Sequence, residues 1–276
     1  MNRTIIITVT IILALIAGFA IVLSPPSAAT AILYIESGTV EVDQGKGWQP
    51  ATNEMKLNIG DSIKTGNGEA TLILLEGEVM QLEPNTEITL DLVSKKKISL
   101  TQKSGETWNK ITKISGVREY QVTTPTTVAT VRGTEFLLGM GQMEVAEGNV
   151  EFERMSDKKK MIVGALNKAT ADSMTMEKMN SADMAKMDKY KARMLKRLER
   201  VREMELNKHR LFLRFAEKMG YNEQKIKEIL NDIDEGRKKI DEYFQKIPGV
   251  LKPRANRTYE LTKEIQKLKD EIRGNK

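Results

Sequence analysis

Val122-Thr-Thr-Pro-Thr-Thr-Val-Ala-Thr-Val-Arg-Gly-Thr-Glu-Phe136 is the stretch on which the fold turns. β-branched residues fill it, Pro125 interrupts it and Arg132-Gly133-Thr134 closes it. Valine and threonine suit the pleated, half-buried surface of a strand, and a proline or glycine between such runs marks a turn. The stretch holds no nucleophile–base pair and no metal-ligand cluster, so it predicts paired strands and no catalytic loop.

Similar signals run outward on both sides. Ile32–Ile35, Thr39–Asp43, Ala70–Leu75, Val79–Leu82 and Thr86–Val93 precede it, with a short strand between Asp61 and Thr65. Ile98–Thr101 and Val117–Thr123 lead into it; Glu135–Leu138, Met143–Ala146, Val150–Phe152 and Met161–Val163 follow. Glycine, asparagine and proline punctuate the runs, as in Thr65-Gly-Asn-Gly68 and Glu83-Pro-Asn85. Short strands at such spacing predict an all-β domain: a roll, a sandwich or a short β-solenoid. A Gly-X-Val unit recurs at Gly38, Gly77 and Gly148, which suits stacked turns.

Charge divides the chain. Residues 1–180 carry 18 Lys and Arg against 21 Asp and Glu, whereas residues 181–276 carry 26 against 17. Most glycines lie before residue 165, and charged helix-forming runs lie after 180. We expect an N-terminal segment over 1–30, a β-domain over 31–165, a linker over 166–180 and a basic helical region over 181–276. The chain has no cysteine, which excludes disulfides, thiolate metal sites and a lipid anchor on an N-terminal Cys.

Ile5–Leu23 is uncharged and broken only by two threonines and one glycine. As a helix, these residues would rise about 28 Å, close to the thickness of a bilayer core. Arg3 precedes the run and no Lys or Arg follows until Lys46, which puts the N-terminus in the cytoplasm and the bulk outside. The length favours a single N-terminal transmembrane helix over a secretory h-region. The alternative is a secreted or periplasmic protein after cleavage near Ser27-Ala28-Ala29.

In the basic region, Met184, Met187, Met194, Leu198, Val201, Met204, Leu211, Phe215 and Met219 fall mostly three or four apart and predict one long helix. Gly220 ends it. Ile226, Ile229, Leu230, Ile233, Ile240, Phe244 and Ile247 predict a second, closed by Pro248-Gly249, and Leu261, Ile265, Leu268 and Ile272 a third. The stripes must bury against something. An α-helical hairpin is the leading arrangement, and a coiled-coil-like self-association through 181–247 is the rival. Lys and Arg interleave with Glu and Asp, as on a solvated helix face. Nucleic acid is therefore not an expected partner, and weak contact with an anionic surface is the most the charge implies.

Gly38-Thr-Val-Glu-Val42 with Trp48, then Leu57-Asn-Ile-Gly-Asp-Ser-Ile-Lys-Thr-Gly-Asn-Gly-Glu-Ala70, then Leu82-Glu-Pro-Asn-Thr86 come in a fixed order. Thr124-Pro-Thr-Thr-Val-Ala-Thr-Val-Arg-Gly-Thr-Glu-Phe136 and Val145-Ala-Glu-Gly-Asn-Val-Glu-Phe152 complete the series. Together they resemble the FecR domain over about half the chain. The resemblance implies an extracytoplasmic β-rich module that engages a protein in the envelope or membrane. In founding FecR-type proteins a cytoplasmic region controls a sigma factor; here only Met1–Thr4 would lie on that side. We therefore expect a non-enzymatic interaction or scaffolding module, with a transmembrane signalling sensor as the first alternative and a cell-wall polymer or carbohydrate binder as the second.

The residues singled out are Asp61, Thr65, Gly68, Arg132, Gly133 and Thr134, each structural or serving recognition. Asp61 suits an Asx turn, Gly133 a tight turn, and Arg132 a pairing with Glu135, Glu119 or Asp61. The calcium-loop pattern is absent. Trp48 and Trp108 suit packing or, less well, sugar stacking. His209 is the sole histidine and has no partner for a triad. The methionines from Met174 to Met194 fit an apolar helix face better than soft-metal ligation. No catalytic, cofactor-binding or metal residue is expected.

Overall fold

Inward and outward side chains alternate through Glu119–Thr123 and Thr127–Val131: Tyr120, Val122, Ala129 and Val131 are buried, while Gln121 and Thr130 are half-exposed. Between them Pro125 sits at the corner of a turn, where its missing N–H costs nothing. The Thr127 amide reaches the Thr124 Oγ1 at 2.9 Å, and the Thr124 amide the Thr127 carbonyl at 2.8 Å. The computed structural model describes residues 30–75, 78–111, 117–208, 217, 222–247, 249 and 252–274.

The strands form two nine-stranded sheets. In spatial order, sheet A is β18 (Met176–Lys178), β17 (Asn167–Thr170), β14 (Gln142–Glu147), β13 (Glu135–Leu138), β10 (Thr107–Lys110), β7 (Glu78–Leu82), β6 (Glu69–Leu74), β1 (Ala31–Ser37) and β4 (Met55–Leu57). Sheet B is β16 (Lys160–Gly164), β15 (Asn149–Arg154), β12 (Thr127–Val131), β11 (Glu119–Thr123), β9 (Lys97–Ser104), β8 (Glu87–Val93), β5 (Ser62–Thr65), β2 (Val40–Asp43) and β3 (Trp48–Pro50). From β5 onward the chain passes back and forth between the two sheets, mostly as hairpins, and both grow in one direction. The order departs at the start, where β3 and β4 close the far edges beside β2 and β1, and again after β9, where the chain adds β10 to sheet A and returns as β11 parallel to β9, with Tyr120 opposite Ile98. The result is a sandwich with a solenoid-like progression.

Between the sheets lies an apolar core that includes Leu33, Leu72, Leu82, Leu90, Leu100 and Phe152. One polar chain crosses it. The Tyr120 hydroxyl donates to Asn109 Oδ1 at 2.7 Å, Asn109 Nδ2 to Thr107 Oγ1 at 3.0 Å, Thr107 Oγ1 to Gln102 Oε1 at 2.8 Å, and Gln102 Nε2 to the Leu138 carbonyl at 3.1 Å. Each buried polar group is thereby satisfied, which removes the desolvation cost of leaving it alone. Burial raises the Tyr120 phenol well above its ordinary value, and Glu78 adds to the shift. At Gly38, φ is +61°, and a Cβ would lie 2.6 Å from the Gly68 Cα. Only glycine allows that approach.

A third layer covers the outer face of sheet A. Helix α1 (Ser181–Lys208) opens with a reciprocal cap: Asn180 Oδ1 accepts from the Ala182 and Asp183 amides, and Asp183 Oδ2 from the Asn180 amide at 2.8 Å. Helices α2 (Glu223–Asp234), α3 (Ile240–Gln245) and α4 (Lys252–Gly274) follow. Met187, Tyr190, Met194, Leu198 and Val201 form a stripe at helical spacing. With Leu261, Ile265 and Leu268 of α4 they pack on Tyr34, Ile73, Val79, Trp108 and Leu137 of sheet A.

Five expectations need correction. No helix among the described residues is long and apolar enough to cross a membrane, and Ile5–Leu23 lies outside the described residues. The single N-terminal transmembrane helix and the single-pass placement with a cytoplasmic N-terminus are withdrawn, and the transmembrane sensor goes with them. Residues 166–180 are not a linker, because β17 and β18 extend sheet A to Lys178. The second helix is not continuous to Ile247: it stops at Asp234, and Gly236 turns the chain at φ +75°. Strands at Trp48–Pro50, Met55–Leu57 and Thr107–Lys110 are only three or four residues long and were not expected. Beyond Lys208, the expected first helix falls largely outside the described residues.

Candidate functional site

The outer face of sheet A is acidic at its rim, and the helical layer answers it with base. Arg193 Nη1 lies 2.7 Å from Glu69 and 3.1 Å from Glu83. Lys186 meets Glu106 at 3.0 Å, and Lys168 of β17 meets Asp183 of α1 at 2.9 Å. Arg197, almost fully buried, pairs with Glu36 and donates from Nε to Thr71 Oγ1 at 2.9 Å. Burial lowers the Arg197 guanidinium from its ordinary value, opposed by Glu36. It raises Glu83 and Glu144, opposed chiefly by Arg193 and Lys186 respectively. At the centre Trp108 stacks on Tyr190, ring centroids 4.6 Å apart and 7° from parallel. The Tyr190 hydroxyl donates to Glu106 at 3.1 Å. Burial, then Glu83 and Glu106, push its phenol above the ordinary range.

The second junction, between sheet A and α4, is organised around one buried cation. Lys110 Nζ lies 2.7 Å from Glu135, 2.8 Å from Glu264 and 3.8 Å from Glu147. Burial pulls this ammonium down, but Glu135 and Glu264 outweigh it and hold it above the usual lysine range. Lys267 pairs with Glu147 at 2.6 Å. A cavity of about 390 Å³ opens here, and Gly133 and Thr134 line it with these charges.

The outer face of sheet B bears no helix among the described residues. It is a polar ladder of cross-strand pairs: Glu41 with Lys64 at 2.9 Å, Glu87 with Lys103 at 2.8 Å, Asp91 with Thr101 at 2.7 Å, Glu119 with Lys97 at 2.7 Å and Glu151 with Lys160 at 2.7 Å. Val128 and Thr130 of the opening stretch lie on this face, half-exposed.

The residues marked from sequence divide between these places. Asp61 is buried at a turn, where its Oδ2 accepts from the Asn58 amide at 2.9 Å and Gln44 Nε2 at 2.8 Å. Thr65 Oγ1 donates to the Glu83 carbonyl at 2.7 Å and accepts from the Thr86 amide at 2.9 Å. Gly68 packs against the Ser37–Thr39 backbone. These three are joinery of the sandwich. Gly133 turns at φ +69°, and the Thr134 hydroxyl donates to the Asn149 carbonyl at 3.0 Å. Arg132 is exposed and makes no ion pair among the described residues. Its expected partners are occupied elsewhere: Glu135 holds Lys110, Glu119 holds Lys97, and Asp61 holds Gln44 and Asn58.

Trp108 is fully buried and closed to any sugar, while Lys64 lies over the Trp48 ring at 4.5 Å. Met174 belongs to the sandwich core, and Met187 and Met194 to the helix–sheet contact. Among the described residues no group of three or more acidic, His or Cys side chains is placed to hold a metal, and His209 lies outside them. Sequence reasoning missed Lys110 and the Glu rim of sheet A. Isolated charges on strands read as solvent-facing, and only the opposite net charges of the two halves hinted at an internal match.

No curated protein matches this chain. Two crystal structures of a protein provisionally assigned as an anti-sigma factor from Parabacteroides distasonis ATCC 8503, at 1.65 and 2.50 Å resolution, are similar at 16% identity and a TM-score of 0.36. They cover 43% of this chain, which spans 59% of theirs. The family model described as "FecR protein" matches residues 61–151, from β5 into β15. Over those residues the middle of the sandwich is similar to the FecR protein family.

Proposed function

We propose that this chain is a non-enzymatic, extracytoplasmic interaction module that docks another envelope protein on the open face of sheet B. The carrying observation is the asymmetry of the sandwich. Sheet A spends its outer face on the chain's own helices, while sheet B presents a broad polar face made largely of the FecR-like strands. Paired charges and hydroxyls on such a face favour complementary recognition and register over tight apolar burial. The hydrophobic Ile5–Leu23 run acts as an export signal, with cleavage near Ser27-Ala28-Ala29. The stripe of α1 is consumed within the chain, so self-association does not run through it.

Photo-crosslinkers placed singly at Ser99, Gln121 and Thr130 on the open face, and at Lys178 on the far edge of sheet A, test the reading in cells. Protein adducts from the three open-face sites, absent from position 178, are expected. Adducts of glycan or lipid alone, or equal labelling at all four sites, would overturn it.

A further inference from the structure

We propose that one end of sheet B rests on a bilayer surface bearing anionic phospholipid headgroups. That end is built from the β8–β9 turn, the start of β11 and the close of β12. Four cations stand there: Lys95, Lys96, Arg118 and Arg132. Each is exposed and makes no ion pair among the described residues. The sheet register brings them together. β11 runs parallel to β9 with Glu119 opposite Lys97, and antiparallel to β12 with Tyr120 opposite Val131. Arg118 therefore lies beside Lys96 and Arg132 beside Glu119, on three neighbouring strands about 5 Å apart. The carboxylates that β8 and β11 bring to this end are already engaged: Glu119 with Lys97 at 2.7 Å, and Asp91 with the Thr101 hydroxyl at 2.7 Å.

Two large apolar side chains share this end. Ile59 is 48% exposed and Leu92 39% exposed. The Gly60 amide donates to the Leu90 carbonyl at 2.7 Å and the Leu90 amide to the Asp61 carbonyl at 3.0 Å, which sets the Ile59 turn beside the close of β8. Like charges left unpaired side by side repel one another, and exposed aliphatic side chains cost free energy in water. A small anion answers the charges and leaves Ile59 and Leu92 in water. An anionic bilayer surface answers both, because its headgroups attract lysine and arginine while the acyl boundary takes the apolar side chains. The opposite end of sheet B differs: there Lys103 pairs with Glu87, Lys158 with Glu153 and Arg154 with Asp157.

The chain has no cysteine, so Leu92→Cys gives the full chain one attachment point for an environment-sensitive dye. Ser156→Cys, in the β15–β16 turn, gives one at the opposite end. Each labelled protein is titrated with vesicles of phosphatidylcholine and phosphatidylglycerol in equal parts, with phosphatidylcholine vesicles, and with soluble inorganic phosphate and poly-glutamate. A blue shift of the dye at position 92 on the mixed vesicles alone is expected, reversed by sodium chloride and without counterpart at position 156. Adding Arg118→Gln and Arg132→Gln to Leu92→Cys should raise the lipid concentration for half the shift about tenfold. Neither arginine holds an ion pair, and circular dichroism checks the fold. No shift on the mixed vesicles, an equal shift on phosphatidylcholine, phosphate or poly-glutamate, an equal response at positions 92 and 156, or an unchanged titration without the two arginines would overturn the proposal. Protein docking on the face of sheet B plays no part in these readings, so either can fail alone.

Discussion

The sandwich interior and the helix–sheet junction are held by different physics. Between the sheets, aliphatic side chains fill the space, and the hydrogen-bonded chain from Tyr120 to Gln102 is neutral and mutually satisfied. Between sheet A and the helices, an apolar stripe is fenced by ion pairs: Arg193, Lys186 and Arg197 on one flank, Lys110 and Lys267 on the other. The first arrangement holds no ion pair that salt would screen, and it responds to pH only through the buried Tyr120 phenol and Glu78 beside it. The second depends on both. The excess base of residues 181–276 is thus matched in part by the acidic rim of the sheet it covers, and the chain's overall positive charge is a poor guide to what it binds.

The comparison breaks most clearly at Lys110. Lys110→Met leaves Glu135 and Glu264 without their cation, and we expect a loss of about 3–5 kcal/mol in urea unfolding. Adding Glu135→Leu and Glu264→Leu should restore most of it, because an apolar cluster avoids the desolvation. Trp108→Ala removes the fully buried ring stacked on Tyr190 and should cost about 3–5 kcal/mol. Leu100→Ala in the sandwich should cost about 2–5 kcal/mol and, unlike the junction variants, its effect should not vary with salt.

Smaller effects sharpen the contrast. Arg193→Gln should cost about 1 kcal/mol, and the difference from wild type should shrink as sodium chloride rises and screening shortens. Gly133→Ala places a side chain at positive φ and should cost about 1–2 kcal/mol, measured by the shift in urea midpoint. Tyr190 titrates in the alkaline range. Its phenol holds its proton more tightly folded than unfolded, so stability falls as pH rises above the ordinary value of 10.0. Tyr190→Phe should flatten that limb of the stability curve, although it forfeits the Glu106 bond at neutral pH.

Much of the sandwich is legible in the sequence. Glu119–Thr123 alternates cleanly, Glu87–Val93 does so up to an irregularity at Asp91, and turns such as Glu83-Pro-Asn85 carry their own chemistry. Thr107–Lys110 does not. Its Asn109 and Thr107 point into the core because the Tyr120 and Gln102 side chains satisfy them there, a pairing no local pattern displays. β17 and β18 are short and half-exposed, so their membership of sheet A depends on β14 beside them. The break at Gly236 was hidden by an apolar period that continues past it. For the candidate site, Gly133 and Thr134 stood out as a turn, whereas Lys110 and Glu135 meet only through the β10–β13 pairing and Glu264 joins them only once α4 docks.

The central claim is that the helical layer and the β-sandwich are one cooperative body joined at the outer face of sheet A. Urea unfolding of the Trp48→Phe protein tests it, because Trp108 fluorescence then reports the junction while ellipticity at 222 nm reports the helices. Coincident transitions are predicted. Loss of helical ellipticity at lower urea, with Trp108 emission still that of a buried ring, would contradict the account.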